Sequence, residues 1–122
     1  METPNKTAQK IIDLELEKKY AKIQKFLSQQ QGMTLDLQSM IYLVGLREWG
    51  QLRPVSKEEK LDLMHIGTCR LLEIFGYYKF IGWDQEAWPH FEKIQDIPYF
   101  NSVEQERLLK ETLVIYFEQF AV

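Results

Sequence analysis

Met40-Ile41-Tyr42-Leu43-Val44-Gly45-Leu46 is the longest apolar run in the chain, and its reading decides the fold. Such a run fits a strand buried on both faces, or a helix covered on more than one side. The flanks decide for a helix. Thr34 is a good N-cap, Asp36 falls in the first turn where the helix dipole favours an anion, and the pattern runs on to Trp49 or Gly50. No strand partner is evident nearby. The run therefore predicts a central helix packed on several sides.

Upstream, Ile12, Leu16, Tyr20, Ile23 and Leu27 recur at spacings of three and four and make one apolar stripe. That predicts a first helix ending at Gln31, with Gly32 as its cap and residues 1–6 as a loosely ordered lead-in. Downstream, Leu52-Arg53-Pro54-Val55 reads as a connector. Ser56 followed by Glu59 is a capping box and the clearest helix start in the chain. The third helix carries a main stripe of Leu61, Met64, Thr68, Leu71, Leu72 and Phe75, with Leu63, Ile66 and Ile74 nearly opposite. Gly76 ends it. Gly45 and Gly67 sit inside predicted helices, where each costs ~1 kcal/mol relative to Ala, and a close crossing of helices two and three would account for both.

Residues 77–100 change character. Tyr77-Tyr78-Lys79-Phe80-Ile81-Gly82-Trp83 has the composition of a strand, Asp84 to Ala87 reads as a turn, and Trp88 to Ile94 as a return strand. Pro89 would fall inside any helix begun at Asp84. Asn101 or Ser102 then caps a last helix lined by Leu109, Leu113, Tyr116 and Phe120. The fold expectation is mainly α: one domain over 1–122, an antiparallel four-helix bundle with an aromatic-rich hairpin or ordered loop at about 77–100 between helices three and four.

A length of 122 residues supports one core without staples. The net charge of −3 argues against a polyanion as main partner, because phosphate binding needs clustered Lys and Arg. The Lys-rich first helix is only a weak exception. Cys69 is the single cysteine, so no intrachain disulfide forms. The polar start lacks the apolar segment of a signal peptide, and no run reaches the ~20 residues of a membrane helix, so the cytoplasm is the expected location.

Three constellations bear on function. The first is aromatic: nine of the chain's sixteen aromatic residues fall between Phe75 and Phe100. They read either as a ligand pocket or partner surface, with Tyr77, Tyr78, Trp83, Asp84, Trp88 and His90 as candidates, or as the private core of the loop. The second is His65 with Cys69 and Glu73, on one flank of helix three. Imidazole and thiolate four residues apart can share a zinc ion, but Asp84 or His90 would have to complete the set, so the expectation is no bound metal and no cofactor. The third is a nucleophilic pairing of Cys69 with His65 or His90. Mid-helix is a poor place for it, since no helix N-terminus lowers the thiol pKa. Arg47 and Arg70 could hold an anion, but acids such as Glu48 and Glu73 lie close enough to pair with them.

The leading expectation is a helical protein-interaction module that binds another protein or a copy of itself as a homodimer. Leu63, Ile66 and Ile74 would be the interface, because a short chain struggles to cover so much apolar surface. The alternative is a small-ligand- or metal-binding enzyme with its site around Asp84 and His90. Convergence of Asp84, His90, His65 and Cys69 on one cavity separates the two.

Overall fold

The computed structural model describes residues 6–120. Most of the lead-in expected at residues 1–6 lies outside these, and Lys6 already belongs to the first helix. The elements are α1 (Lys6–Gln31), α2 (Leu37–Trp49), α3 (Lys57–Glu73), β1 (Tyr78–Trp83), β2 (Pro89–Lys93) and α4 (Ser102–Glu118). No helix among the described residues is long and apolar enough to cross a membrane.

The helix ends follow local chemistry. Ser56 and Glu59 close a capping box at the start of α3, and Asn101 and Glu104 close another at α4. At α2 the cap is Asp36, whose side chain accepts from the Ser39 N–H at 2.8 Å, and not Thr34. An aspartate there satisfies an orphan N–H and also places its charge on the positive end of the dipole. The C-termini of α1 and α3 close with paired backbone bonds, Met33 N–H to Ser28 and Gly32 N–H to Gln29 in one, Tyr77 N–H to Leu72 and Gly76 N–H to Glu73 in the other.

The antiparallel four-helix bundle expected from the sequence is not what forms. The protein is mainly α with a small two-stranded antiparallel sheet, and the sheet is built into the packing of α3. α2 pairs most closely with α3, and α1 lies chiefly along α4. The reason lies in two separate cores. One gathers Tyr20, Ile23 and Leu27 of α1, Met40, Ile41 and Val44 of α2, Leu71 of α3 and Leu113, Tyr116 and Phe117 of α4. The other is Trp49, Leu63 and Ile66, packed against Val55, Trp88 and Phe91. The hairpin thus covers apolar surface that in a bundle would face another helix.

Backbone closeness sets the α2–α3 pair. A Cβ at Gly45 would run into the carbonyl of Leu63, and one at Gly67 into the carbonyl of Ile41. The expected close crossing is present, and it is reciprocal. Beside this backbone contact, Trp49 of α2 and Ile66 of α3 join the smaller core with Trp88 and Phe91 of the hairpin.

The sheet register contains one irregularity. Phe80 pairs with Phe91 and Gly82 with His90, so Ile81 is an extra residue on β1. Gly82 takes φ 129°, which side-chain-bearing residues rarely adopt. Strict alternation would put Phe80 and Trp83 on opposite faces. The bulge brings them to the same one, where their rings meet edge to face at 5.6 Å.

Candidate functional site

The turn of the hairpin is organised by one carboxylate. Asp84 Oδ1 accepts from the backbone N–H of Glu86 (2.9 Å) and of Trp88 (3.0 Å), while Oδ2 meets His90 Nε2 at 2.9 Å. The Asp84 N–H donates to the Trp88 carbonyl and the Ala87 N–H to the Asp84 carbonyl. Gln51, in the α2–α3 connector, ties this turn to the body by donating to the carbonyls of Glu86 and Ala87. These bonds, led by the one from His90, hold the Asp84 carboxyl below its ordinary range. An ionised carboxylate can only accept, so His90 Nε2 carries the proton of that bond. In neutral His90, Nδ1 is then an acceptor.

Across from this turn stands the middle of α3, from Asp62 to Cys69. Cys69 Sγ and His65 Nε2 are 3.5 Å apart. Cys69 is almost completely buried, and burial pushes its thiol up to about 11. It stays protonated at neutral pH and behaves as a small core residue, not a nucleophile. The raised thiol and its burial argue against the Cys–His pair as a reactive centre, although the two side chains do touch.

The two sides enclose a cleft of about 340 Å³ lined by Asp62, His65, Ile66, Cys69, Asp84, Trp88, Pro89, His90 and Phe91. Asp84, His90, His65 and Cys69 therefore converge on one cavity from two distant stretches of the chain. The floor is apolar, from Ile66, Trp88 and Phe91, and the rim is polar. Among the described residues no group of three or more His, Cys, Asp or Glu is arranged to hold a metal ion.

Other sequence candidates fall elsewhere. Glu73, grouped with His65 and Cys69 by spacing, turns away and accepts from the Phe80 N–H at 2.8 Å. Trp83 lines a different hollow, and Tyr77 and Tyr78 line neither. Leu63 and Ile66, expected at an interface, are buried inside the chain against Trp49 and the hairpin, and Ile74 packs on the main core. The second face of α3 is covered by the protein itself.

Sequence reasoning missed Asp62 and Gln51, which carry no motif. It also missed a network joined over 68 residues: the Tyr116 hydroxyl donates to Glu48 at 2.6 Å, and Glu48 also pairs with Arg70 at 3.4 Å. Burial and the neighbouring Glu48 raise the Tyr116 pKa. Arg47 lies 3.5 Å over the Phe120 ring. Neither arginine is placed as an anion site.

Compared with protein-family models, curated proteins and solved structures, the chain has no match.

Proposed function

We propose that the protein binds a small, partly apolar molecule in the cleft between α3 and the hairpin turn, with His90 as its polar anchor. The observation that carries this reading is the convergence of His65, Cys69, Asp84 and His90, remote in sequence, on a single cavity with an apolar floor. Ligand sites are commonly concave, mostly apolar and furnished with a few placed polar groups, and this cleft has those properties. Asp84 fixes the tautomer and direction of His90, as a third group does for a catalytic base, which leaves Nδ1 to accept a proton or a hydrogen bond. With the Cys69 thiol protonated, no nucleophile accompanies it, so ligand binding is the reading favoured over covalent chemistry.

The chain has only two histidines, so their ring protons give an unambiguous report. A fragment library screened by NMR is expected to yield ligands that shift both His65 and His90 and lose affinity in His90→Ala. A screen whose hits leave both rings unmoved would sink the proposal.

Self-association is the second reading, supported now by different residues. Ile81, Ile94 and Tyr99 stand 56%, 54% and 96% exposed on and just after the hairpin. A copy of the chain docking there would cover apolar area that the monomer leaves in water. Its test is the mass in solution.

A further inference from the structure

A second hollow, of about 390 Å³, shares Pro89 and Phe91 with the histidine cleft and none of its other walls. Phe80, Trp83 and Phe91 form one side. Their rings stand at 69° and 67° to one another, with centroids 5.6 and 5.7 Å apart, so they meet as the walls of a box and not as a stack. The bulge at Ile81 is what puts Trp83 beside Phe80.

Glu48, Arg70 and Glu73 form the other side. Arg70 serves both carboxylates, at 3.4 Å from Glu48 and 3.7 Å from Glu73, which leaves the group one negative charge in excess. Both carboxylates are held in place, Glu48 by the Tyr116 hydroxyl and Glu73 by the Phe80 N–H. An anionic ligand would have to compete with them for Arg70. Elsewhere the chain lays its own cations over its rings: Lys110 over Tyr20, Arg53 over Trp49, Arg70 over Tyr116 and Arg47 over Phe120. Among the described residues none lies over Phe80, Trp83 or Phe91, and Trp83, the strongest partner a cation can find, is 55% exposed.

We propose that this hollow is a second binding site, for an organic ammonium cation whose methyl or methylene groups lie against the three rings and whose charge is balanced by Glu48 and Glu73. The requirements of such a ligand match what is present: angled aromatic faces, an excess of one negative charge, and carboxylates that need no reordering.

The experiment is a titration of the full chain with tetramethylammonium chloride at constant ionic strength. Binding is read from the Trp83 indole N–H in a proton–nitrogen NMR spectrum, assigned by its loss in Trp83→Phe. A saturable shift is expected. The uncharged analogue 2,2-dimethylpropanol should bind about fivefold more weakly or worse, and Glu73→Gln, which keeps an oxygen for the Phe80 N–H, should weaken the cation about fivefold. Trp83→Ala, at a position 55% exposed, should weaken it at least as much, read from the Phe80 and Gly82 amides, with the Tyr78 to Lys93 strand pairing checked in the same spectrum. The absence of a saturable shift, equal binding of the uncharged analogue, or an affinity indifferent to both Glu73→Gln and Trp83→Ala would each overturn the proposal.

Discussion

Gly45 and Gly67 each stand where a single added carbon would meet the carbonyl of the other helix. The obstacle is backbone, which cannot swing aside as a side chain can. Gly45→Ala should therefore destabilise the protein by about 1–3 kcal/mol, against the gain of up to ~1 kcal/mol that removing a helical glycine would otherwise bring. A thermal melt reads the sign directly, and a rise in midpoint would show that the crossing can open. Ala87 presents the opposite case. It holds φ 65° at the hairpin turn, in the left-handed region that costs an ordinary residue ~1–2 kcal/mol. Ala87→Gly should raise stability by up to about 1 kcal/mol, measured by urea unfolding, because glycine relieves that cost but adds disorder to the unfolded chain. The first of these positions was legible in the sequence, since a helical glycine asks for a reason. The second was not: Asp84 to Ala87 reads as a turn, but nothing in an alanine marks it as the residue that takes the left-handed backbone.

At the scale of elements, the start of α3 is held by more than its capping box. Arg53 donates to both Glu59 oxygens, at 3.1 and 2.7 Å, and the Ser56 N–H donates to one of them at 3.0 Å. The Arg53 guanidinium first, and the Ser56 N–H second, lower the Glu59 carboxyl to about 2. A carboxyl lowered by folding contributes stability that is complete above its unfolded value, near 4.5, and fades as pH falls toward about 2. Glu59→Gln keeps the cap but removes the charge. The stability gap between wild type and this variant should be full at pH 6 and close between pH 4.5 and about 2 in melts across that range. A gap that does not narrow would mean that the ion pair is not its source. This box was legible because Ser-x-x-Glu is a local pattern with a local mechanism. The hairpin was legible only as composition. Its bulge was not, because the register of β1 on β2 depends on how Trp88 and Phe91 seat the hairpin against α2 and α3, which no local pattern reports. For the same reason, reading four helices as a bundle failed: periodicity reports that α3 has two apolar faces, not whether a helix or a sheet covers each.

For the whole molecule, the decisive fact is that the Leu63 and Ile66 face of α3 finds its cover within the chain, while Leu61 and Phe75, at the ends of the other stripe, stay exposed. The case for a dimer built on Leu63 and Ile66 loses its motive, and what remains is apolar side chains exposed elsewhere, Ile81, Ile94 and Tyr99 among them. A homodimer through that surface predicts a mass, by light scattering during size exclusion, that rises toward twice the monomer at micromolar concentration and falls back in Ile81→Glu, since a carboxylate pressed into an apolar interface is costly. A monomer mass that holds across concentrations would reject it. The cleft itself was half legible. Asp84, His90, His65 and Cys69 could be named as candidates, but their meeting depends on the hairpin folding back on α3. Its boundary residue Asp62 and its anchor Gln51 leave no trace in local pattern.

The three tryptophans divide their surroundings unequally. Trp49 and Trp88 stand 5.2 Å apart with planes tilted by 32°, one from α2 and one from the hairpin turn, while Trp83 faces solvent. Two indoles that close share their electronic transitions, and the paired signature in circular dichroism exists only while the hairpin is seated. Trp83, 55% exposed, should emit at longer wavelength and meet dissolved quenchers more readily than the other two. The protein thus carries its own optical gauge: one signal for whether the sheet is docked, another for whether anything has settled on its outer ring, each readable without a label.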